Sequence, residues 1–253
     1  MMKLYFGFGN GKLAGSIATF ALPAGHACPF AKDCFSKSDR YTGRITDGPE
    51  CRFRCYSATN EARATTVRNA RWKNFEMLQA AKTVQGMADL IQKSLPFGIQ
   101  YVRLHVAGDF FNETYFKAWL NVALNNPAVI FYAYTKSLSY WVKHRKAIPA
   151  NFRLVASKGG KQDALIEKYK LVYAEVVFST EEARRKGLEI DHDDSHAIKA
   201  DKPFALLLHG TQIKGTPAAE AWKVIMRTIG GYNRSKNPNR VAEPSKPVQI
   251  LVA

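Results

Sequence analysis

The chain has 253 residues, 46% of them hydrophobic, and a formal charge of +16 from 37 Lys and Arg against 21 Asp and Glu. That length suits one large domain or two small ones, and the apolar fraction excludes wholesale disorder. No apolar run approaches the roughly 18 residues that span a membrane, and the opening Met1-Met2-Lys3-Leu4-Tyr5-Phe6-Gly7 lacks the apolar stretch of a signal peptide. The expected location is therefore the cytoplasm, where thiols stay reduced and four cysteines serve better as ligands than as disulfides.

In chain order, Lys3–Phe8 is an aromatic-rich strand closed by the turn Gly9-Asn10-Gly11. An irregular stretch rich in Gly, Pro, Cys and Asp follows, from about Ala21 to Tyr56. A loop that long in a compact domain needs a staple or a function. From Asn60 to about Gln79, apolar residues including Val67, Trp72, Phe75 and Leu78 recur at helical spacing, with arginines expected on the opposite face. A second helix covers about Val84–Leu95 and stops at Pro96.

Strand and helix then alternate. Expected strands are Ile99–Val106, Val129–Tyr134, Phe152–Ala156, Val172–Phe178 and Phe204–Leu208. The helices between and after them are Glu113–Leu124, Leu138–Lys146, Gln162–Tyr169, Thr180–Lys186 (capped by Ser179 or Thr180) and Pro217–Ile229. Alternation of this kind implies a parallel sheet with helical crossovers. The strands are apolar throughout, as strands covered on both faces are. One strand before the cysteine loop and five units after it are too few for a complete eight-unit barrel. The fold class is α/β, and a partial (β/α)6 TIM-like barrel is preferred over an open doubly wound sheet. It spans residues 1–230 as a single domain, followed by a polar tail, 231–253.

In either architecture a ligand binds beyond the C-terminal ends of the strands. The cysteines Cys28, Cys34, Cys51 and Cys55 sit in the loop at that rim, in the pattern C-x5-C-x16-C-x3-C. Thiolates suit Zn²⁺, Cu(I) or iron–sulfur clusters. Structural zinc sites favour tight C-x2-4-C knuckles, whereas clusters accept wider spacing, so iron–sulfur is preferred and zinc is the alternative.

Four segments carry a resemblance: Leu22-Pro23-Ala24-Gly25-His26-Ala27-Cys28-Pro29, Cys51-Arg52-Phe53-Arg54-Cys55-Tyr56, Val106-Ala107-Gly108-Asp109-Phe110 and Phe131-Tyr132-Ala133-Tyr134-Thr135-Lys136-Ser137. Over about Phe6 to Thr216 the chain resembles the "gene product 88" family of bacteriophage proteins and, more distantly, the radical S-adenosylmethionine (radical SAM) enzymes. That resemblance implies a partial barrel carrying a [4Fe–4S] cluster near the end of the first strand, in a phage-encoded protein of the host cytoplasm. It also admits S-adenosylmethionine as a rim ligand, although the C-x3-C-x2-C triad of those enzymes is absent. The leading expectation is thus an iron–sulfur protein of unassigned activity. The alternatives are a radical SAM enzyme and a zinc-stapled nucleic-acid-binding module.

Further rim candidates are His105, Asp109, Lys136 and Ser157. Each also has an ordinary reading: a core histidine at 105, a helix cap or rim-amide acceptor at 109, and a lysine paired with Asp109 at 136. The run Asp191-His192-Asp193-Asp194-Ser195-His196 has hard-metal ligand types but reads more simply as a solvated acidic loop.

The charge points to DNA or RNA as a partner. Basic residues recur at Arg63, Arg68, Arg71 and Lys73, at Lys143, His144, Arg145 and Lys146, and at Arg234, Lys236 and Arg240. Lys143, Arg145 and Lys146 are the expected phosphate contacts. No recognition motif supports sequence-specific readout. The sequence carries no indication of oligomeric state.

Overall fold

The computed structural model describes residues 3–9 and 12–230. The turn at Gly9-Asn10-Gly11 therefore lies partly, and the tail 231–253 with Arg234, Lys236 and Arg240 wholly, outside the described residues. The elements are β1 (Phe6–Phe8), β2 (Ile17–Ala21), β3 (Ser36–Ser38), β4 (Ile45–Asp47), α1 (Tyr56–Arg63), α2 (Thr65–Ala81), α3 (Val84–Gln92), β5 (Tyr101–Ala107) and α4 (Glu113–Leu124). They continue with β6 (Ile130–Thr135), α5 (Leu138–His144), β7 (Phe152–Ser157), α6 (Ala164–Tyr169), β8 (Tyr173–Val177) and α7 (Thr180–Arg185). The last are β9 (Glu189–Ile190), α8 (Ser195–Lys199), β10 (Phe204–Leu207) and α9 (Pro217–Thr228).

Eight strands form one mixed sheet in the order β1-β2-β5-β6-β7-β8-β10-β9, parallel except for β1 against β2. The alternating pattern from β5 to β10 holds, and β6 is buried on both faces, as expected of a central parallel strand: Phe131, Tyr132 and Ala133 are consecutive and fully buried. Of the partial-barrel expectation the structure shows this coarser α/β fold: β1 and β9 end the sheet and do not pair with each other, so the sheet is not closed. The strand entering the cysteine loop is β2, which the sequence reading missed; the aromatic strand before it is an antiparallel edge. The largest core cluster packs Phe20, Phe131 and Phe152 of the sheet against Trp119 and Tyr115 of α4 and Met87 and Ile91 of α3.

The helix expected over Asn60–Gln79 is two helices, broken at Ala64 in extended conformation. Its polarity also differs from expectation. α2 buries Arg68 and Arg71 together with Phe75 and Leu78. Arg68 donates to the carbonyls of Arg40, Tyr41 and Glu61, which ties the helix to the cysteine loop.

That loop is held by protein groups throughout. The β3–β4 hairpin forms within it. Leu22 N–H donates to Ala107 O, Ala24 N–H to Glu61 Oε1 and Asp33 N–H to Gly159 O, and the loop accepts Lys161 N–H at Phe30 O. Arg54 pairs with Asp47. The staple that the loop's length demands is this network.

One irregularity matters for the site. Between the pairs Thr19↔Arg103 and Ala21↔Ala107, β5 advances four residues while β2 advances two. This bulge places His105 at φ +59°, the left-handed region that a non-glycine residue rarely adopts. It turns the Val106 carbonyl out of the ladder, where it accepts from Tyr56 Oη at 2.7 Å and Ser57 Oγ at 2.9 Å. The first turn of α1 is thereby fixed against the sheet.

Candidate functional site

The four cysteines are half-buried and unbridged. Cys28 Sγ accepts from Gly25 N–H at 3.3 Å. Cys51 donates to Phe53 O at 3.2 Å and lies 3.7 Å from Ser36 Oγ, the same oxygen that accepts the Cys55 N–H. Burial, with Asp109 next, holds the Cys28 thiol well above its ordinary pKa. Burial, with Cys34 next, pushes Cys55 up to about 11, and burial also raises Cys51. Among the described residues no three or more His, Cys, Asp or Glu side chains are arranged to hold a metal ion. This overturns the [4Fe–4S] expectation, its zinc alternative and the S-adenosylmethionine chemistry that a cluster would support.

The rim candidates form a brace across strand ends. Asp109 is buried and accepts from Phe110 N–H (2.7 Å), Thr135 Oγ1 (2.6 Å) and Lys136 N–H (2.8 Å), joining the end of β5 to the end of β6. Burial raises its pKa to about 6 against those three bonds. Lys136 is buried as well, but its Nζ turns from Asp109 to Ser157 O, Ser157 Oγ and Lys158 O, joining β6 to β7. The cap of α4 is Asn112, not Asp109. His105 is a core histidine: Nε2 is 3.2 Å from Tyr115 Oη, and burial lowers its pKa to about 3.

The expected phosphate contacts lie at the end of α5, where Lys143 and His144 bond Glu113 and Arg145 sits over the Tyr169 ring. The helix ends at His144, and Arg145–Ala147 is a 3₁₀ turn. The three cations therefore do not share one helix.

A cavity elsewhere in the fold is lined by none of these residues. That cavity, of about 750 Å³, is enclosed by β1, β2, β5, α1, α2 and the end of β10. Four cations line it, Lys12, Arg63, Arg71 and Arg103, and among the described residues no carboxylate does. The carboxylates stand behind. Glu61, fully buried, holds Arg71 at 2.7 Å. Asp194, equally buried, holds Lys12 at 2.6 Å and has Arg103 Nε at 3.1 Å, though that N–H is not aimed into a hydrogen bond. Asp191 lies 3.2 Å from Lys12. Arg63 is exposed on α1 and donates to Thr211 Oγ1. The remaining wall is mixed: Tyr5, Phe6, Tyr56 and His209 supply rings, between small, aliphatic and amide residues such as Ala64, Val67 and Asn74. Burial lowers the His209 pKa to about 4, so this ring is neutral at neutral pH.

Sequence reading missed this site. The Asp191–His196 run, taken as a solvated loop, supplies its deepest counter-charges, and its buried partners come from residues far away in the chain. Adjacent residues gave no sign of this. Only the four-fold excess of basic over acidic residues in 60–73 hinted that α1 and α2 form a positive wall, with Arg63, Arg68, Arg71 and Lys73 there against Glu61.

Architecture and site define a mixed α/β protein with a cation-lined cavity beside the first parallel strand. The chain belongs to the Gene product 88 family, whose model matches residues 3–227. No curated protein and no solved structure matches it. The family expectation is thus met, and nothing ties the chain to radical SAM enzymes. Among the described residues no helix is long and apolar enough to cross a membrane.

Proposed function

We propose that this Gene product 88 family member is a nucleic-acid-binding protein of the host cytoplasm, acting through phosphate contacts with little sequence preference. The observation that carries this reading is the cavity lined by four cations and, among the described residues, by no carboxylate. With 37 basic and 21 acidic residues, complete one-to-one pairing still leaves 16 cations over. Buried carboxylates hold Lys12, Arg71 and Arg103, so the inner wall presents hydrogen-bond donors and the exposed Arg63 carries the net charge at the mouth, where attraction for polyanions strengthens at low ionic strength. Lining from both β2 and β10, distant in the sheet order, supports a sheet curved toward a partial barrel around this cavity.

The test is anisotropy of labelled oligonucleotides against salt. Affinity should fall about 10-fold or more between 50 and 200 mM salt, the slope counting the phosphates neutralised. Reversal of the exposed Arg63 (Arg63→Glu) should weaken binding about equally for all sequences. Reversing Lys143, Arg145 and Lys146 together should matter less, since Lys143 is bonded to Glu113 and Arg145 is packed on Tyr169. Salt-insensitive affinity, or no binding at low salt, would sink the reading.

A further inference from the structure

We infer that the cavity receives one unstacked nucleotide of a single strand, its base against the Tyr56–His209 ring pair and its phosphate at the Arg63 rim. This rests on the nucleic-acid reading and names the strand form that reading leaves open. A surface meant for duplex backbone needs only cations on an open face. Here the cations share a concave site with four rings, Tyr5, Phe6, Tyr56 and His209, and cations beside stacking surfaces are the combination that single-strand sites use.

The recess is preset. The Tyr56 and His209 rings lie 4.3 Å apart, tilted by 41°. Tyr56 is pinned by its bond to Val106 O at 2.7 Å. Gly210, at φ +84°, passes so close that a Cβ there would lie 2.7 Å from Tyr56 Cβ, so the chain after β10 is packed directly on the root of this side chain. Little ordering is then left for a bound base to impose, which favours affinity.

The charges divide by depth. Lys12, Arg71 and Arg103 are each held by a buried carboxylate, so the inner wall offers donors with little net charge. Arg63 pairs with no carboxylate among the described residues and stands exposed at the mouth. One phosphate fits that arrangement. The mouth also carries Tyr5, 49% exposed, with Lys73 Nζ 5.0 Å from its ring centroid. A flanking base has a surface there, and stacking is indifferent to base identity.

The experiment uses the full chain with one labelled single strand and its duplex at equal salt, and a second strand carrying 2-aminopurine. The single strand should bind about 10-fold tighter than the duplex, and 2-aminopurine emission should change on binding. Tyr56→Leu should weaken single-strand binding about 10-fold and abolish the emission change while leaving duplex affinity unaltered; Tyr56→Phe, which keeps the ring and gives up only the bond to Val106 O, should retain the emission change and lose less affinity than Tyr56→Leu. Thermal unfolding checks that Tyr56→Leu is folded. If it is not, the exposed Tyr5→Ala and Arg63→Ala variants serve, with single-strand affinity expected to fall more than duplex affinity. Equal binding of duplex and single strand, or equal loss of both in the variants, overturns the inference and leaves the nucleic-acid reading standing. No binding of either form at low salt overturns both.

Discussion

Asp194→Ala is expected to lower the melting temperature by roughly 6–20 °C, the equivalent of about 3–5 kcal/mol. Asp194 is fully buried, with Lys12 at 2.6 Å and Arg103 at 3.1 Å, and it accepts from the hydroxyls of Tyr132 and Tyr134. Truncation leaves two cations, each only 11% exposed, facing one remaining carboxylate, Asp191. Breaking one side of a buried pair costs far more than the pair itself contributes, because the surviving charge has no water to turn to. The backbone adds to the effect: Asp194 sits at φ +66°, a conformation that Asp tolerates better than alanine does.

The same residue gives a pH dependence. Burial pushes the Asp194 carboxyl up, but Arg103 and Lys12 outweigh it and hold the pKa below the ordinary value. Its folded pKa is then lower than that of the unfolded chain, about 3.9. The stabilisation is present above about pH 4 and is lost as pH falls through the folded value. Acid unfolding of the wild type should steepen below pH 4, and Asp194→Asn should flatten that limb. A variant whose melting temperature matches the wild type at pH 7 would refute the role.

Glu61→Ala is expected to cost a similar amount, about 3–5 kcal/mol, read as a fall in the urea midpoint with unchanged slope. Glu61 lies fully buried on α1, bonded to Arg71 of α2 and to the Ala24 N–H of the cysteine loop. One carboxylate thus joins three segments. Burial outweighs Arg71 and leaves the Glu61 pKa above its ordinary value. Its folded pKa exceeds that of the unfolded chain, about 4.3, so raising the pH through that window removes stability. Glu61→Gln, which still accepts from Ala24, should lose less than Glu61→Ala. In the alanine variant, limited proteolysis should begin within 22–55, because that loop depends on Glu61 for one of its anchors. Unaltered cleavage there would show that the remaining bonds suffice.

Much of the fold was legible because local sequence carries it. The helix Glu113–Leu124 agrees with the sequence reading at both ends, since Asn112 caps it and its apolar face repeats at helical period. Ser179 caps α7 as expected. The strands β5, β6, β7, β8 and β10 were found within about two residues, because continuous apolar runs bounded by polar ends mark buried strands. β2 was lost inside the run from Gly15 to Leu22, where nothing separates a strand from the start of an irregular loop.

The cysteine spacing led the other way. Four thiols in one loop suggest a shared metal, but spacing along the chain says nothing of where the sulfurs point or what holds the loop. Ser36, Gly25 and Phe53 meet the thiols, and Glu61, Arg68 and Gly159 meet the loop.

By itself, then, the sequence determined the alternating α/β order, the caps, the membership in the Gene product 88 family and the basic excess, all of which are local or additive properties. Tertiary structure decided which charges face solvent. Arg68 and Arg71 were expected on an outer face and are buried, and Asp191 and Asp194 were expected in water and lie under the cavity. The reason is that a charge is buried only where a partner waits. The partners here, Glu61 across a helix break and Lys12 and Arg103 far away along the chain from Asp194, are brought together only when β5, α1 and α8 close around one another.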